Sequence, residues 1–285
     1  MPCYFPFYND LQIPLPCGKC AYCIQRRIDN WVFRCMQEIS HADTAHWVTL
    51  TYEVPPLTDN GFMTLRKPDV QNFFKRLRKR KRDFSRKKIK YYLCGEYGDT
   101  YYRPHYHAVV YNSSPEHIQS AWENFSSPLD PEGVILGICH FDEVNETTIA
   151  YTAKYMNKAK KVPIHFNDLR LPEFQLFSKG LGIGFLTEQA KNFYSADITR
   201  NYVTINGFKK PMPRYFMDKI VVCPVFKLAK QLFAQENSKK TLELQYAEWN
   251  ENKTYHQTFE QYRYAKKQAH HDFYVSKILK RDKFK

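Results

Sequence analysis

With 285 residues, 43% of them apolar and 16% aromatic, the chain holds enough material for one large core or two modest ones, which excludes a disordered tail. No run of eighteen apolar residues occurs, and the opening segment MPCYFPFYNDLQ lacks the basic and apolar regions of a secretion signal, so a soluble, intracellular protein with no membrane partner is expected. Forty-three Lys plus Arg against twenty-nine Asp plus Glu leave a formal charge of +14, a balance that favours nucleic acid, and after it anionic membrane, as the partner.

The first motif is the run Cys17, Cys20, Cys23. Eight cysteines without a secretion signal point to thiols or a metal site rather than a disulfide framework. A structural Zn²⁺ takes four soft ligands in a tetrahedron, and Cys3 is available as the fourth. Free buried thiols, or a three-cysteine site completed by Cys35 or a histidine, are the alternatives.

Ile24, Ile28, Trp31, Val32, Cys35 and Ile39 recur at helical spacing and predict a helix over 24–41. The period then changes: Trp47 to Val54 alternates bulky and polar residues and predicts a strand closed by Pro55-Pro56. Pro68 fits the first turn of a second helix. Its Val70, Phe73, Phe74 and Leu77 face a core, while Lys75, Arg76, Arg78, Lys79 and Arg80 face out. With Lys81 and Arg82 these form a candidate DNA-binding patch: thirteen basic residues against two acidic ones lie between Arg66 and Lys90. A solvated helix face with a disordered basic loop is the plainer explanation.

Strands are predicted at 89–96 and 103–111, with a short helix at 115–125 and a further strand at 137–144. Another helix spans 146–161, with Asn145 as its N-cap. Strand, helix, strand, strand, helix, strand, helix is the order expected of an α+β domain with a ferredoxin-like antiparallel sheet and helices on one face, with helical N- and C-terminal additions. Beyond Pro163 the pattern weakens to a Gly-rich loop at 179–186, a hairpin at 202–208 and a charged, Tyr-rich helical region from Pro224 onward. Three parts are expected: a Cys-rich segment over 1–45, a core over 46–162 and an extension over 163–285.

His105 and His107 alternate on a strand, so both imidazoles point to one face and can share a metal ion. Glu96 ends the preceding strand, across a short hairpin, where its carboxylate can complete the site; a turn residue paired with Arg103 is the alternative. Tyr151 and Tyr155 are four apart on a predicted helix, with Lys154 beside them and Lys158 one turn on. A phenol of pKa ~10 needs nearby cations or a metal to act as a nucleophile on phosphorus. Packing residues of an amphipathic helix are the ordinary explanation for such a pair.

WVTLTY at 47–52, GEYG followed by RPHYH at 95–107, and YTAKYMNK at 151–158 stand in the order and approximate spacing of the three motifs of the HUH endonucleases. The sequence resembles the rolling-circle replication initiators of the small single-stranded-DNA microviruses, gokushovirus branch, over roughly residues 16–160. PCGKCAYC is also similar to that branch. The resemblance implies a site-specific DNA nickase and strand transferase in which His105, His107 and Glu96 hold Mg²⁺ or Mn²⁺. Of Tyr151 and Tyr155, one would form a 5′-phosphotyrosine and the other would act in the closing step, with Lys154 beside them. The strand with Thr49 and Thr51 would be mainly architectural. Implied partners are viral single-stranded or replicative-form origin DNA and the host helicase and replication machinery, in the cytoplasm of a bacterial host cell. The rival expectation is a non-catalytic zinc-containing nucleic-acid-binding protein in which HYH is incidental.

Overall fold

The computed structural model describes residues 3–10, 13–80, 85–123, 125–127, 130–155, 162–205, 207–251 and 258–280. In chain order the elements are β1 (Phe7–Tyr8), β2 (Pro14–Leu15), α1 (Ala21–Ile39), β3 (Ala45–Thr51), α2 (Lys67–Arg80), β4 (Lys90–Tyr97), β5 (Pro104–Tyr111), α3 (Pro115–Glu123), β6 (Phe125–Ser127), β7 (Asp130–Val134), β8 (Cys139–Asp142), α4 (Glu146–Tyr155), β9 (Phe174–Phe177), α5 (Glu188–Ser195), β10 (Tyr202–Ile205), β11 (Phe208–Pro211), α6 (Arg214–Ile220), α7 (Pro224–Glu251) and α8 (Phe259–Lys280). The end of the predicted 146–161 helix, with Lys158, lies outside the described residues, as do Lys81 and Arg82.

Residues 31–184 form one compact unit built on a five-stranded antiparallel sheet of order β8-β3-β5-β4-β9. Strand residues alternate between faces. Thus Val48, Leu50, Leu93, Tyr106, Ala108 and Val110 share one face, where Val70, Phe73, Phe74 and Leu77 of α2 and Ile118, Ala121 and Trp122 of α3 bury them. Gly95 lies opposite Tyr106 on this face, and a Cβ there would stand 3.0 Å from the tyrosine ring. The ring takes the space that a side chain would need.

Helices cover the second face as well, which corrects the expectation of a one-sided sheet. Trp31 of α1 stacks on Tyr92 at 4.6 Å, Tyr111 donates to the Cys35 carbonyl at 3.1 Å, and α4 packs on β4 and β5. The physical reason lies in β4 and β5, which carry large aromatic side chains on both faces and are buried along most of their length. Two further differences concern ends and edges. α1 begins at Ala21, three residues before the predicted start, and β9 was not predicted at all. It is only four residues long and earns its extended form by pairing with β4, Leu176 opposite Leu93.

Residues 3–30 and 185–280 belong to the second unit. It contains the β1–β2 hairpin, the first half of α1, the predicted hairpin as β10–β11, and helices α5 to α8. Phe216 is fully buried and packs on Phe185 at 5.0 Å; α7 pairs with α8.

Candidate metal centre and its surroundings

The H-Y-H segment works as a two-faced anchor. Tyr106 points into the core, where its hydroxyl meets Tyr52 Oη at 2.8 Å and accepts from the Arg66 backbone N–H at 2.9 Å. Tyr52 in turn donates to Asp69 of α2 at 2.9 Å. With the middle residue fixed, His105 and His107 are held on the other face, and the register sets Glu96 directly opposite His105. The pairing of β4 with β5 thereby brings all three predicted ligands together.

Nε2 of His105 lies 2.6 Å and Nε2 of His107 2.9 Å from the same oxygen, Glu96 Oε1. The outer ring nitrogens decide what can sit there. Nδ1 of His105 is 3.1 Å from the Arg103 carbonyl, which can only accept, so Nδ1 carries a proton and Nε2 is left to offer its lone pair. Nδ1 of His107 meets Thr49 Oγ1 at 2.9 Å. A lone pair facing a carboxylate oxygen at such a distance requires a cation between them, either a proton or a metal ion. Glu96 Oε2 strengthens the metal assignment: it is buried and meets no hydrogen-bond partner among the described residues. Donors at right angles around Mg²⁺, each 2.0–2.1 Å away, lie about 3 Å apart, close to the spacings found. The residues fit a divalent ion.

Without a metal ion, when protons bridge the imidazoles to the carboxylate instead, burial opposes ionisation of Glu96, but the hydrogen bonds from His105 and His107 outweigh it and hold the carboxyl below its usual range. Burial likewise opposes a charged His105, and the Glu96 carboxylate overcomes it, raising the imidazole pKa. For His107 burial prevails over Glu96 and the pKa is lowered, which keeps this ring neutral. Arg103 does not pair with Glu96 in this arrangement; its guanidinium donates to the carbonyls of Tyr52 and Glu53.

Trp47 organises the neighbourhood and was not singled out from the sequence. Its ring stacks on His107 at 5.0 Å and 14°, and its Nε1 donates to Thr152 Oγ1 of α4 at 2.9 Å. It also meets Tyr151 edge-on at 6.1 Å. Tyr151 stands against His107 at 5.1 Å between ring centres. Helix α4 opens as predicted, with Asn145 Oδ1 accepting from the backbone N–H groups of Thr147 and Thr148 at 2.9 Å. Lys154 is buried at 3% exposure. Tyr155 ends the helix one turn beyond Tyr151, and its side chain lies outside the described residues. Strand parity is the signal that would have found Trp47 and Thr49, because both share the face of the histidines in WVTLT.

The basic helix departs from expectation in two respects. Lys75, Arg78 and Lys79 are exposed, but Arg76 Nε donates to the Ala121 carbonyl at 2.8 Å and Arg80 to that of Ser120. These two arginines satisfy carbonyls in the last turn of α3, which no intrahelical donor can reach. Moreover, α2 packs on the sheet face opposite the histidines.

In the other unit, Cys3, Cys17, Cys20 and Cys23 converge, their sulfur atoms all within 4.8 Å of one another. Cys3 is thus gathered with the run, and Cys35 is not among the converging sulfurs. Although burial pushes the Cys17 thiol up, backbone N–H groups of Lys19 and Cys20 bring its pKa down to about 6.

An antiparallel α+β domain with a histidine–glutamate centre facing a helix tyrosine is the class of protein that fold and site define. Residues 45–160 match the family model of the replication-associated protein ORF2/G2P. It is similar to replication-associated protein ORF4 of Chlamydia phage 1, 28% identical over 223 residues, covering 74% of this chain and 54% of that protein. Similarity extends to replication-associated protein ORF2 of Spiroplasma virus 4, 29% identical over 218 residues (71% of this chain, 66% of the relative). A third relative, replication-associated protein VP4 of Bdellovibrio phage phiMH2K, is 26% identical over 214 residues, with the same coverage. The chain therefore spans from about half to two thirds of the length of these relatives. No solved structure matches it. Among the described residues no helix is long and apolar enough to cross a membrane.

Proposed function

We propose that this protein takes part in viral DNA replication as a site-specific nickase and strand transferase, with residues 46–162 as its catalytic core. One observation supports this above the others: two imidazoles and a carboxylate converge on one point beside the ring of Tyr151. A divalent cation, Mg²⁺ or Mn²⁺, held by His105, His107 and Glu96 would polarise the scissile phosphate. The protein's own groups do the rest. Arg103 and Thr49 keep both Nε2 atoms aimed inward, and Trp47 joins the His107 ring to the helix that carries the tyrosine.

In the reaction, the Tyr151 oxygen loses its proton and forms a bond to phosphorus in line with the departing O3′; the P–O3′ bond breaks and O3′ takes up a proton. The products are a 5′-phosphotyrosine and a free 3′ hydroxyl that can prime synthesis. Attack by that 3′ hydroxyl, or another, on the phosphotyrosine reverses the exchange without ATP, and Tyr155 serves the closing step. The partners in this scheme are origin DNA, single-stranded at the nick, and the replication machinery of a bacterial host.

The test uses purified protein, Mn²⁺ and a labelled single-stranded origin oligonucleotide, run on a denaturing gel. A covalent band that vanishes in Tyr151→Phe and in His105→Ala is expected. Cleavage without an adduct would assign the chemistry to activated water, and tight binding without cleavage across several origins and metals would favour a binding protein.

A further inference from the structure

The cysteine cluster takes no part in the chemistry above, yet its geometry is that of a built site. Cys23 Sγ lies 3.7 Å from Cys3 Sγ and 3.9 Å from Cys17 Sγ. Four sulfurs about 2.3 Å from a tetrahedral Zn²⁺ would stand about 3.8 Å apart. A disulfide, with sulfurs at about 2.05 Å, is a different arrangement, and all four cysteines are free thiols. The backbone is shaped to the same end. Gly18, at φ +74°, lets the chain turn between Cys17 and Cys20 in a conformation that a side chain would strain. Three backbone N–H groups then point at sulfur: Lys19 and Cys20 toward Cys17 at 3.4 and 3.3 Å, and Cys17 toward Cys3 at 3.2 Å. N–H groups directed at sulfur favour thiolate over thiol.

The neighbours of these cysteines carry a second set of contacts. Tyr4, next to Cys3, hydrogen-bonds His270 Nδ1 of α8 at 3.0 Å and meets His271 edge-on at 5.4 Å. Tyr22, between Cys20 and Cys23, meets Tyr274 of the same helix at 5.5 Å. Both tyrosines sit on the segments that carry the four sulfurs.

We propose that Cys3, Cys17, Cys20 and Cys23 bind one structural Zn²⁺ as a tetrathiolate, and that this ion anchors helix α8 by fixing the segments that carry Tyr4 and Tyr22. Binding releases the thiol protons to solvent and changes no oxidation state. With four protein ligands the site is closed, so it supplies no catalytic position. Neither readout of the test involves DNA, so the zinc site and the nickase proposal stand or fall separately.

The full-length protein, purified without chelator, is analysed for metals, and its zinc is exchanged for Co²⁺. About one zinc per chain is expected, with the ligand-field and thiolate charge-transfer bands of tetrahedral cobalt–sulfur coordination. Cys20→Ser should lose the ion, whereas Cys35→Ser and Cys223→Ser should keep it. Chelation of the wild-type protein should expose four additional thiols to alkylation and speed amide hydrogen exchange across α8, a result that does not depend on a variant folding. Zinc-free protein with these thiols reactive or disulfide-bonded, or iron with labile sulfide in place of zinc, would overturn the site. Unchanged exchange in α8 after zinc removal would overturn the anchoring role.

Discussion

Thr49→Val tests whether the hydroxyl opposite His107 is part of the metal centre. Valine keeps the shape and β-propensity of threonine, so β3 and its pairing should persist. What disappears is the 2.9 Å contact to Nδ1, on an imidazole whose side chain is 6% exposed and is covered by Trp47. The ring then has two responses: to keep an N–H that has lost its Thr49 acceptor, at a cost of about 1–3 kcal/mol, or to move the proton to Nε2, the proposed ligating atom. Either response penalises the metal-bound state. At 1.4 kcal/mol per factor of ten, the range corresponds to about five- to 150-fold weaker binding, which brackets the 10–100-fold typical of losing such an orienting partner. Calorimetric titration of Mn²⁺ into wild-type and variant protein, with circular dichroism to confirm the fold, measures it. An Mn²⁺ affinity within twofold of wild type would refute the argument and leave Thr49 a strand residue only.

Trp47→Phe keeps a ring over His107 but removes the donor to Thr152; a stability loss of about 1 kcal/mol by urea denaturation is expected, with a larger fractional loss of adduct formation as α4 loosens. Mn²⁺ binding should fall about tenfold per pH unit once the pH drops below the raised pKa of His105, because each ion then displaces one proton, and level off above it; calorimetry across pH 5–8 would show the break. For the metal-free protein, the depressed groups Glu96 and His107 contribute stability that is lost as pH falls, from about 6.5 downward for the histidine and below about 4.3 for the carboxylate. His105, raised, acts oppositely: its contribution is full below about 6.5 and is lost as pH rises through its folded value. Replacing Lys75, Arg78 and Lys79 together by Ala should weaken DNA binding and flatten its salt dependence by about 0.7 per lost contact on single strands, at unchanged melting temperature. Arg76→Ala should instead destabilise by about 1.5–3 kcal/mol with little change in the salt slope, since its guanidinium holds the end of α3.

Local signals carried most of the element boundaries. The apolar stripe of α2, the cap at Asn145 and the alternation through β3 are properties of a few neighbouring residues, and each was legible before any contact was known. The meeting of the three candidate ligands was legible for a related reason: H-x-H on a strand fixes the parity of two side chains, and a short hairpin fixes where the strand before it returns. The short strand β9 was not, because its extended form is maintained by a partner eighty residues earlier in the chain.

Sequence by itself determined which residue types could meet, namely two histidines on one face, an acid one strand away, a tyrosine helix after them and four cysteines near the start. Only the tertiary structure decided what surrounds them. It turned Arg76 and Arg80 from outward cations into caps of α3, and set the basic helix on the face away from the histidines. It also gave Trp47 three partners on two elements and joined Cys3, rather than Cys35, to the cysteine run. Periodicity reports which side of an element a residue occupies, whereas what lies against that side is fixed by strand register and helix packing between segments distant in the chain.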